Sequence, residues 1–186
     1  MNQMIKKIYP NAKKALIKAE SVYLQPLLSD IKPYNRPFYY ANFLSSLDGR
    51  IAIHDKKYST LLTPDVIKSD IDFNLFCQLH AQADCLVTNT NYINGLNNGY
   101  YGDILSQRNQ KLINWRKIKK LQSQKIVILS NSLNFKISDK IEKYKKNIMI
   151  LTTCSNKRKI EYFKKNNYKL KRVAGKNITP NFLDKY

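Results

Sequence analysis

Apolar residues recur at helical spacing in the middle of the chain. From Ile67 to Leu79 they fall every three to four positions, which places them on one face of an α-helix. The Thr-Pro-Asp segment at residues 63–65 is a helix-start signal, with Thr as the cap and Pro in the first turn. The apolar segment 85–87 then predicts a short buried strand, and the polar segment 88–91 predicts a loop after it.

Further strands and helices alternate in the last third of the chain. Apolar runs at residues 126–129, 148–151 and 168–173 predict three strands. Helices are predicted near Ser138, over residues 155–166, and from a Thr-Pro pair at residues 179–180. Strands that alternate with crossover helices indicate a mainly parallel sheet. The pattern therefore predicts an α/β fold with a parallel central sheet.

The first third of the chain has a different pattern. Apolar positions at helical spacing, interrupted and followed by prolines, predict a helical extension and connector over residues 1–35. An aromatic and apolar run at residues 38–45 then predicts a strand covered on both faces. A turn at residues 47–50 and a short second strand at residues 51–53 follow it. We therefore divide the chain into an extension, residues 1–35, and one domain, residues 36–186.

The composition fits one globular domain without a metal site. The chain has 186 residues, of which 43% are hydrophobic, and it contains no apolar run of the ~20 residues that a membrane span needs. We predict a cytoplasmic protein that is not in a membrane. Its three cysteines are far apart in sequence, and neither a C-x-x-C nor an H-x-x-x-H spacing occurs. The sequence therefore predicts reduced thiols and no metal centre.

The net charge of +20 raises the question of a polyanionic partner. Lysine far outnumbers arginine and accompanies abundant Asn, Ile and Tyr, the residues that A+T-rich codons encode. Codon bias and dispersed lysines favour a solvated basic surface. Binding to nucleic acid stays open as the alternative.

The segment 45–50, Ser-Ser-Leu-Asp-Gly-Arg, carries the first candidate chemistry. Gly49 permits a backbone conformation with positive φ, and Asp48 can bond to its own backbone there, so the turn holds nearby polar groups in place. An ordinary strand-ending turn is the alternative interpretation.

Two segments together resemble a known family. Residues 42–50, with Arg36 and Pro37 upstream, resemble the start of the reductase domain of the bifunctional riboflavin-biosynthesis deaminase-reductase. Residues 79–88 resemble that family's second hallmark, a helix ending in Leu-Arg-Ala-Gln-x-Asp-Ala before a strand and a cofactor loop. The resemblance covers residues 36–186 and implies a dihydrofolate-reductase-like fold, a three-layer α/β/α arrangement with a mainly parallel central sheet.

The resemblance also implies a division of the site between substrate and cofactor. The implied substrate contacts are Asn42, Ser45, Asp48, Ser59 and His80, and the implied cofactor contacts are Gly49, Thr63, Thr88, Thr90 and Asn91.

Three of these assignments have simpler alternatives. Thr63 is also the predicted helix cap. His80 stands where the family carries an arginine, and it is also consistent with a surface histidine at a helix end. The segment 88–91 lacks the family's usual glycines, so a plain loop is the alternative there; within it we favour Thr90 over Thr88.

The activity implied by the resemblance is an NADPH-dependent reduction. Hydride would pass from NADPH to C1 of the ribosyl group of a phosphorylated aminopyrimidine, opening it to a ribityl chain. The cofactor supplies the chemistry in such enzymes, so no catalytic side chain is assigned and no metal is expected. The resemblance implies a homodimer as well.

One family feature is missing from the chain. The family continues into a strand ending in Glu-Gly-Gly that cradles phosphates, and this chain reaches Tyr186 before such a segment. We therefore expect a C-terminally incomplete domain. A catalytically defective or regulatory protein of the same fold, or a basic nucleic-acid-binding protein, are the rival interpretations.

Overall fold

The computed structural model describes residues 4–6, 16–24, 28–31, 37–175 and 177–178. Its strands are β1 (Met4–Lys6), β2 (Leu16–Lys18), β3 (Ile53–Asp55), β4 (Thr60–Leu62), β5 (Cys85–Asn89), β6 (Lys125–Leu129), β7 (Ile148–Thr152) and β8 (Lys169–Arg172). Its α-helices are α1 (Asp70–Gln82), α2 (Thr90–Asn97), α3 (Gln110–Ile118), α4 (Asp139–Glu142) and α5 (Lys157–Lys165). Short 3-10 helices lie at Ala19–Ser21, Leu28–Ile31, Asp65–Ile67 and Lys145–Asn147. Within the described residues, no helix is both long and apolar enough to cross a membrane.

The chain forms two compact units. The first contains Met1–Gln82 and Gln107–Lys119, and the second contains Ala83–Ser106 and Lys120–Tyr186. The predicted boundary between residues 35 and 36 falls on residues that the structure does not describe, and it stays a prediction.

In the first unit, two buried glutamines of α1 hold the N-terminal segment. Gln78 Nε2 donates to the carbonyl of Ala19 (2.6 Å), and its Oε1 accepts from the amide of Tyr23 (3.0 Å). Gln82 Oε1 accepts from the amide of Leu28 (2.6 Å), and its Nε2 donates to the carbonyl of Tyr23. The glutamine of the Ala-Gln-x-Asp hallmark therefore has a structural role.

The second unit is built on a parallel sheet with the strand order β5-β6-β7-β8. Ile126, Ile128, Ile148 and Ile150 form the centre of one face and pack with apolar side chains of α2, α4 and α5. A smaller cluster on Val127, Leu151 and Val173 occupies the other face. The predicted class, an α/β fold with a central parallel sheet flanked by helices, is confirmed. The four predicted strands and the two helices in this region are confirmed as well, within a few residues at their ends. The predicted burial of residues 85–87 is wrong, because β5 alternates between exposed and half-buried residues, with Val87 47% exposed.

The strand predicted at residues 38–45 is wrong. Residues 37–46 have no regular secondary structure, and side chains such as Phe43 (69% exposed) face solvent. An apolar run forms a strand only when a neighbouring strand takes up its backbone groups. In the described part of the chain no strand pairs with this run; its Tyr40 hydroxyl instead donates to the carbonyl of Leu79 (2.6 Å).

The start of α1 and the structure of residues 88–91 also differ from the prediction. Lys68 is extended (φ −68°, ψ 138°), which separates the 3-10 turn Asp65–Ile67 from α1. Thr63 therefore does not cap α1, and its hydroxyl donates to the carbonyl of Ile51 (3.3 Å). The segment 88–91 is not a loop, because β5 runs through Asn89 and α2 begins at Thr90.

Near the N-terminus the described residues form strands instead of the predicted helix. β1 and β2 pair antiparallel, with Ile5 opposite Ile17. Spacing alone cannot separate a helix from two short strands when a proline interrupts the pattern. Arg36 and the helix predicted from residue 179 lie outside the described residues. Helices α2 and α3 were not predicted.

Candidate functional site

The turn at residues 46–50 is closed by its own hydrogen bonds. Gly49 has φ +80°, and its amide donates to the carbonyl of Ser46 (2.9 Å). The Ser46 hydroxyl donates to Asp48 and to the carbonyl of Arg50 (3.1 Å), and Arg50 Nε lies 3.2 Å from Asp48 Oδ2. The hydrogen bond from Ser46 lowers the pKa of Asp48, so this carboxylate is ionised and fixed in orientation. Gly49 has the backbone conformation predicted for it.

The other predicted site residues of the first unit do not form a cluster with hydrogen bonds between them. Asn42 and Ser45 are exposed on the irregular segment 37–46. Ser59 is exposed at the tip of the β3–β4 hairpin, in the left-handed conformation (φ 49°).

His80 is buried in the last turn of α1. It is only 6% exposed, and its ring lies 6.0 Å from that of Phe76. The interpretation of His80 as a surface histidine is therefore wrong. Its contact with an anionic substrate stays a prediction.

The second unit contains a cleft at the carboxyl ends of β5 and β6. Its volume is about 680 Å³, within the range of ligand sites in proteins. In parallel α/β sheets, ligands bind outside the carboxyl ends of the strands, which is where this cleft lies. Of the ten described residues that line it, six are asparagines: Asn89, Asn91, Asn94, Asn131, Asn134 and Asn177.

The wall between α2 and β6 is held by a buried hydroxyl. Ser130, 2% exposed, accepts hydrogen bonds from the Thr90 hydroxyl (2.8 Å) and from the amide of Leu133 (2.9 Å). Leu133 has a left-handed backbone (φ 55°), unusual for a non-glycine residue, while its side chain packs in the core. Asn89 caps α2 by accepting from the amide of Tyr92 (3.1 Å). Thr90 is therefore positioned by the fold.

The opposite wall is linked by amide side chains and one lysine. Asn131 Nδ2 donates to Asn177 (3.2 Å), and Asn131 Oδ1 accepts from Thr153 (3.3 Å). Lys159, in the first turn of α5, donates to the carbonyl of Ser132 (3.1 Å) and to the side chain of Asn134. Among the described residues that line the cleft, none is charged. Lys159 is bonded to two of them and brings a positive charge to the rim.

This lining suits a ligand with many hydrogen-bonding groups. Asparagine amides both donate and accept, as sugar hydroxyls and base edges require. The N-terminus of α2, which begins in the cleft, adds a partial positive charge that favours phosphate.

Thr90 and Asn91 are the predicted site residues that the structure brings together. Thr88 is not among the lining residues; it stands in register with Ile128 on the face of the sheet that bears the main core. Asn94 and the asparagines after β6 and β8 were not predicted. Their shared signal is position, since each lies two to five residues after the end of a parallel strand, and the carboxyl ends of such strands meet at one edge of a sheet.

No protein-family model matches the sequence, and no curated protein matches it either. Among solved structures, the chain is similar to a crystal structure of a pyrimidine reductase-like protein from Corynebacterium diphtheriae, with a TM-score of 0.55 and 16% sequence identity. The similarity covers 76% of this chain and 56% of that one, so the chain spans little more than half the length of its neighbour. A likeness at this identity shows a shared reductase-like fold.

Proposed function

We propose that the chain carries out NADPH-dependent reduction of a ribosylaminopyrimidine 5′-phosphate to its ribitylamino form, a step of riboflavin biosynthesis. The observation that carries the proposal is the cleft at the ends of β5 and β6, with Thr90 and Asn91 in its lining. The two sequence motifs and the likeness to a pyrimidine reductase-like structure support it independently.

The cleft fits the cofactor in size and in chemistry. Its amides and hydroxyls match the sugars and phosphates of a dinucleotide, and the N-terminus of α2 and Lys159 favour the phosphate charge. When bound, NADPH supplies the hydride; the protein positions the two reactants. We assign cofactor contacts to Thr90 and Asn91.

The remaining assignments come from the family resemblance alone. They are cofactor contacts at Gly49, Thr63 and Thr88, and substrate contacts at Asn42, Ser45, Asp48, Ser59 and His80. The fixed Asp48 carboxylate suits a hydrogen bond from a pyrimidine amino group or a ribose hydroxyl. The homodimer also stays a proposal.

Titration of the protein with NADPH, followed by cofactor fluorescence, tests the cleft. We expect the parent protein to bind NADPH with a dissociation constant in the micromolar range. Asn91→Ala and Asn131→Ala should each bind it about two- to tenfold more weakly, because each loses about one hydrogen bond to the cofactor. Asn98→Ala is the matched control, because Asn98 is exposed at the opposite end of α2. Absence of binding below millimolar NADPH would refute the assignment, as would equal losses in all three variants.

The reaction needs its own measurement. The protein is incubated with NADPH and the ribosylaminopyrimidine phosphate, and mass spectrometry follows the gain of two hydrogens by the pyrimidine. NADPH binding without turnover would favour the rival interpretation, a regulatory or defective protein of this fold.

A further inference from the structure

Positive charge is concentrated on α5 and β8. Between residues 157 and 172 the chain has eight lysines and arginines and one acidic residue, Glu161, a net charge of +7. We use the name α5–β8 surface for the exposed cations Lys157, Arg158, Lys164, Lys165 and Arg172, which belong to α5 or alternate along β8 with residues that face away from α5. Among the described residues, none of these five forms an ion pair. Their charge is therefore available to a partner.

An exposed aromatic ring lies among these cations. Arg158, Tyr162 and Lys165 are spaced four and three residues apart, which places them on one face of α5. Tyr162 is 48% exposed, and its ring packs edge-on against Phe163 (5.3 Å between centroids, 84° between planes). Phe163 is buried in the core, so it anchors Tyr162 while leaving part of that ring open to solvent.

Protection of the sheet edge explains only part of this pattern. β8 ends the strand order, and lysines on an edge strand discourage pairing with other chains. That role does not require the cations of α5, nor an exposed tyrosine between them. An aromatic ring flanked by cations matches single-stranded nucleic acid, whose bases stack on rings while lysines and arginines follow the phosphates.

We infer that the α5–β8 surface binds single-stranded nucleic acid without sequence preference. A membrane surface fits less well, because an interfacial helix inserts its apolar side into lipid. The apolar side of α5, Ile160 and Phe163, is packed against the sheet. The inference is independent of the proposed reductase activity, since none of its residues lines the cleft.

Fluorescence anisotropy of labelled oligothymidylate and oligouridylate, each of about 20 nucleotides, tests the inference with the full chain. Affinity is measured from about 50 to 200 mM KCl. The salt slope, which is the steepness of the fall of log affinity with log salt concentration, decreases by about 0.7 for each phosphate that the protein no longer neutralises. We expect Arg158→Glu/Lys164→Glu/Lys165→Glu to weaken binding about tenfold or more and to reduce the slope by about 2.

Two controls separate this surface from net charge. The triple variant Lys117→Glu/Lys119→Glu/Lys136→Glu changes the net charge equally at other exposed lysines and is expected to bind nearly as the parent does. Tyr162→Ala is expected to weaken oligonucleotide binding about fivefold without changing its salt slope, and to leave heparin binding unchanged, because heparin has no bases.

Several results would overturn the inference. They are no salt-sensitive binding to either oligonucleotide, equal losses in the two triple variants, or unchanged oligonucleotide binding in Tyr162→Ala. Binding to phosphatidylserine vesicles without binding to oligonucleotides would overturn it in favour of a lipid surface. Thermal melts and hydrogen exchange of each variant verify that the fold is retained.

Discussion

Removal of the Ser130 hydroxyl tests whether the cleft wall is held as the structure indicates. In Ser130→Ala, the buried amide of Leu133 loses its acceptor and Thr90 loses the group to which it donates. A buried donor left unpaired costs about 1–3 kcal/mol, whereas Thr90 is half-buried beside the cleft and can turn towards water. The left-handed backbone of Leu133 loses its local support at the same time. We expect a loss of about 2 kcal/mol in the free energy of unfolding.

Hydrogen exchange followed by mass spectrometry measures this loss in the second unit alone. Amides of β6 and β7 lie in the centre of its sheet, so their protection reports its unfolding. A loss of about 2 kcal/mol lowers the protection factor about thirtyfold, since 1.4 kcal/mol corresponds to tenfold. Ser132→Ala is the control in the same loop, because Ser132 is exposed. A change below about twofold in Ser130→Ala, or an equal change in both variants, would refute the role of this hydroxyl.

Three further predictions concern the same unit. A Cβ at Gly95 would clash with the ring of Tyr101, so Gly95→Ala should destabilise the second unit by about 1–3 kcal/mol, measured by hydrogen exchange. Gly102→Ala is the control and should not destabilise it, because a Cβ at Gly102 would meet open space. Burial alone would raise the pKa of Asp103, whose side chain is 7% exposed, but hydrogen bonds from Lys143, Tyr144 and an amide lower it. The stabilisation by ionised Asp103 is therefore present above the unfolded pKa of about 3.9 and is lost as pH falls below it. In urea unfolding, we expect Asp103→Asn to lower the free energy of unfolding by about 2 kcal/mol at pH 7 and by less towards pH 3. A loss that stays constant with pH would contradict this. Lys159→Met should weaken NADPH binding about three- to tenfold and reduce its salt dependence, and a loss that salt does not affect would contradict an electrostatic role.

The sheet of the second unit was predictable because its two central strands are buried. β6 and β7 are continuous apolar runs, which is the pattern of parallel strands covered on both faces. Residues 38–45 have a similar composition and form no strand, because composition measures the tendency to be buried and not the presence of a pairing partner. Whether a segment finds a strand to pair with depends on the whole chain, so it cannot be predicted from a short stretch of sequence.

The cleft was predictable only in part. Thr90 and Asn91 were found through the family resemblance, but the other asparagines lie on separate segments that are brought together only by the sheet. In sequence they are typical of turns, which is the role that a local interpretation assigns to them. The left-handed backbone of Leu133 could not have been predicted from the sequence, because leucine disfavours positive φ. Leu133 adopts it here because its side chain is buried and its amide donates to Ser130.

The presence of helix α2, where a loop was predicted, changes how the missing glycines should be judged. A loop needs glycine to bring its backbone close to a phosphate, and the segment 88–91 has none. A helix N-terminus presents its first amides without glycine, because those groups have no partner within the helix. α2 begins at Thr90, and within the described residues the Asn89 side chain accepts from the amide of Tyr92 alone. Under the proposed function, the other amides of this first turn would hold the cofactor phosphate in place of a glycine-rich loop. The absence of glycine is therefore no argument against a dinucleotide in this cleft. The direct test is the NADPH titration of the parent protein, and Asn91→Ala, which keeps the backbone amides, separates the contribution of that side chain from theirs.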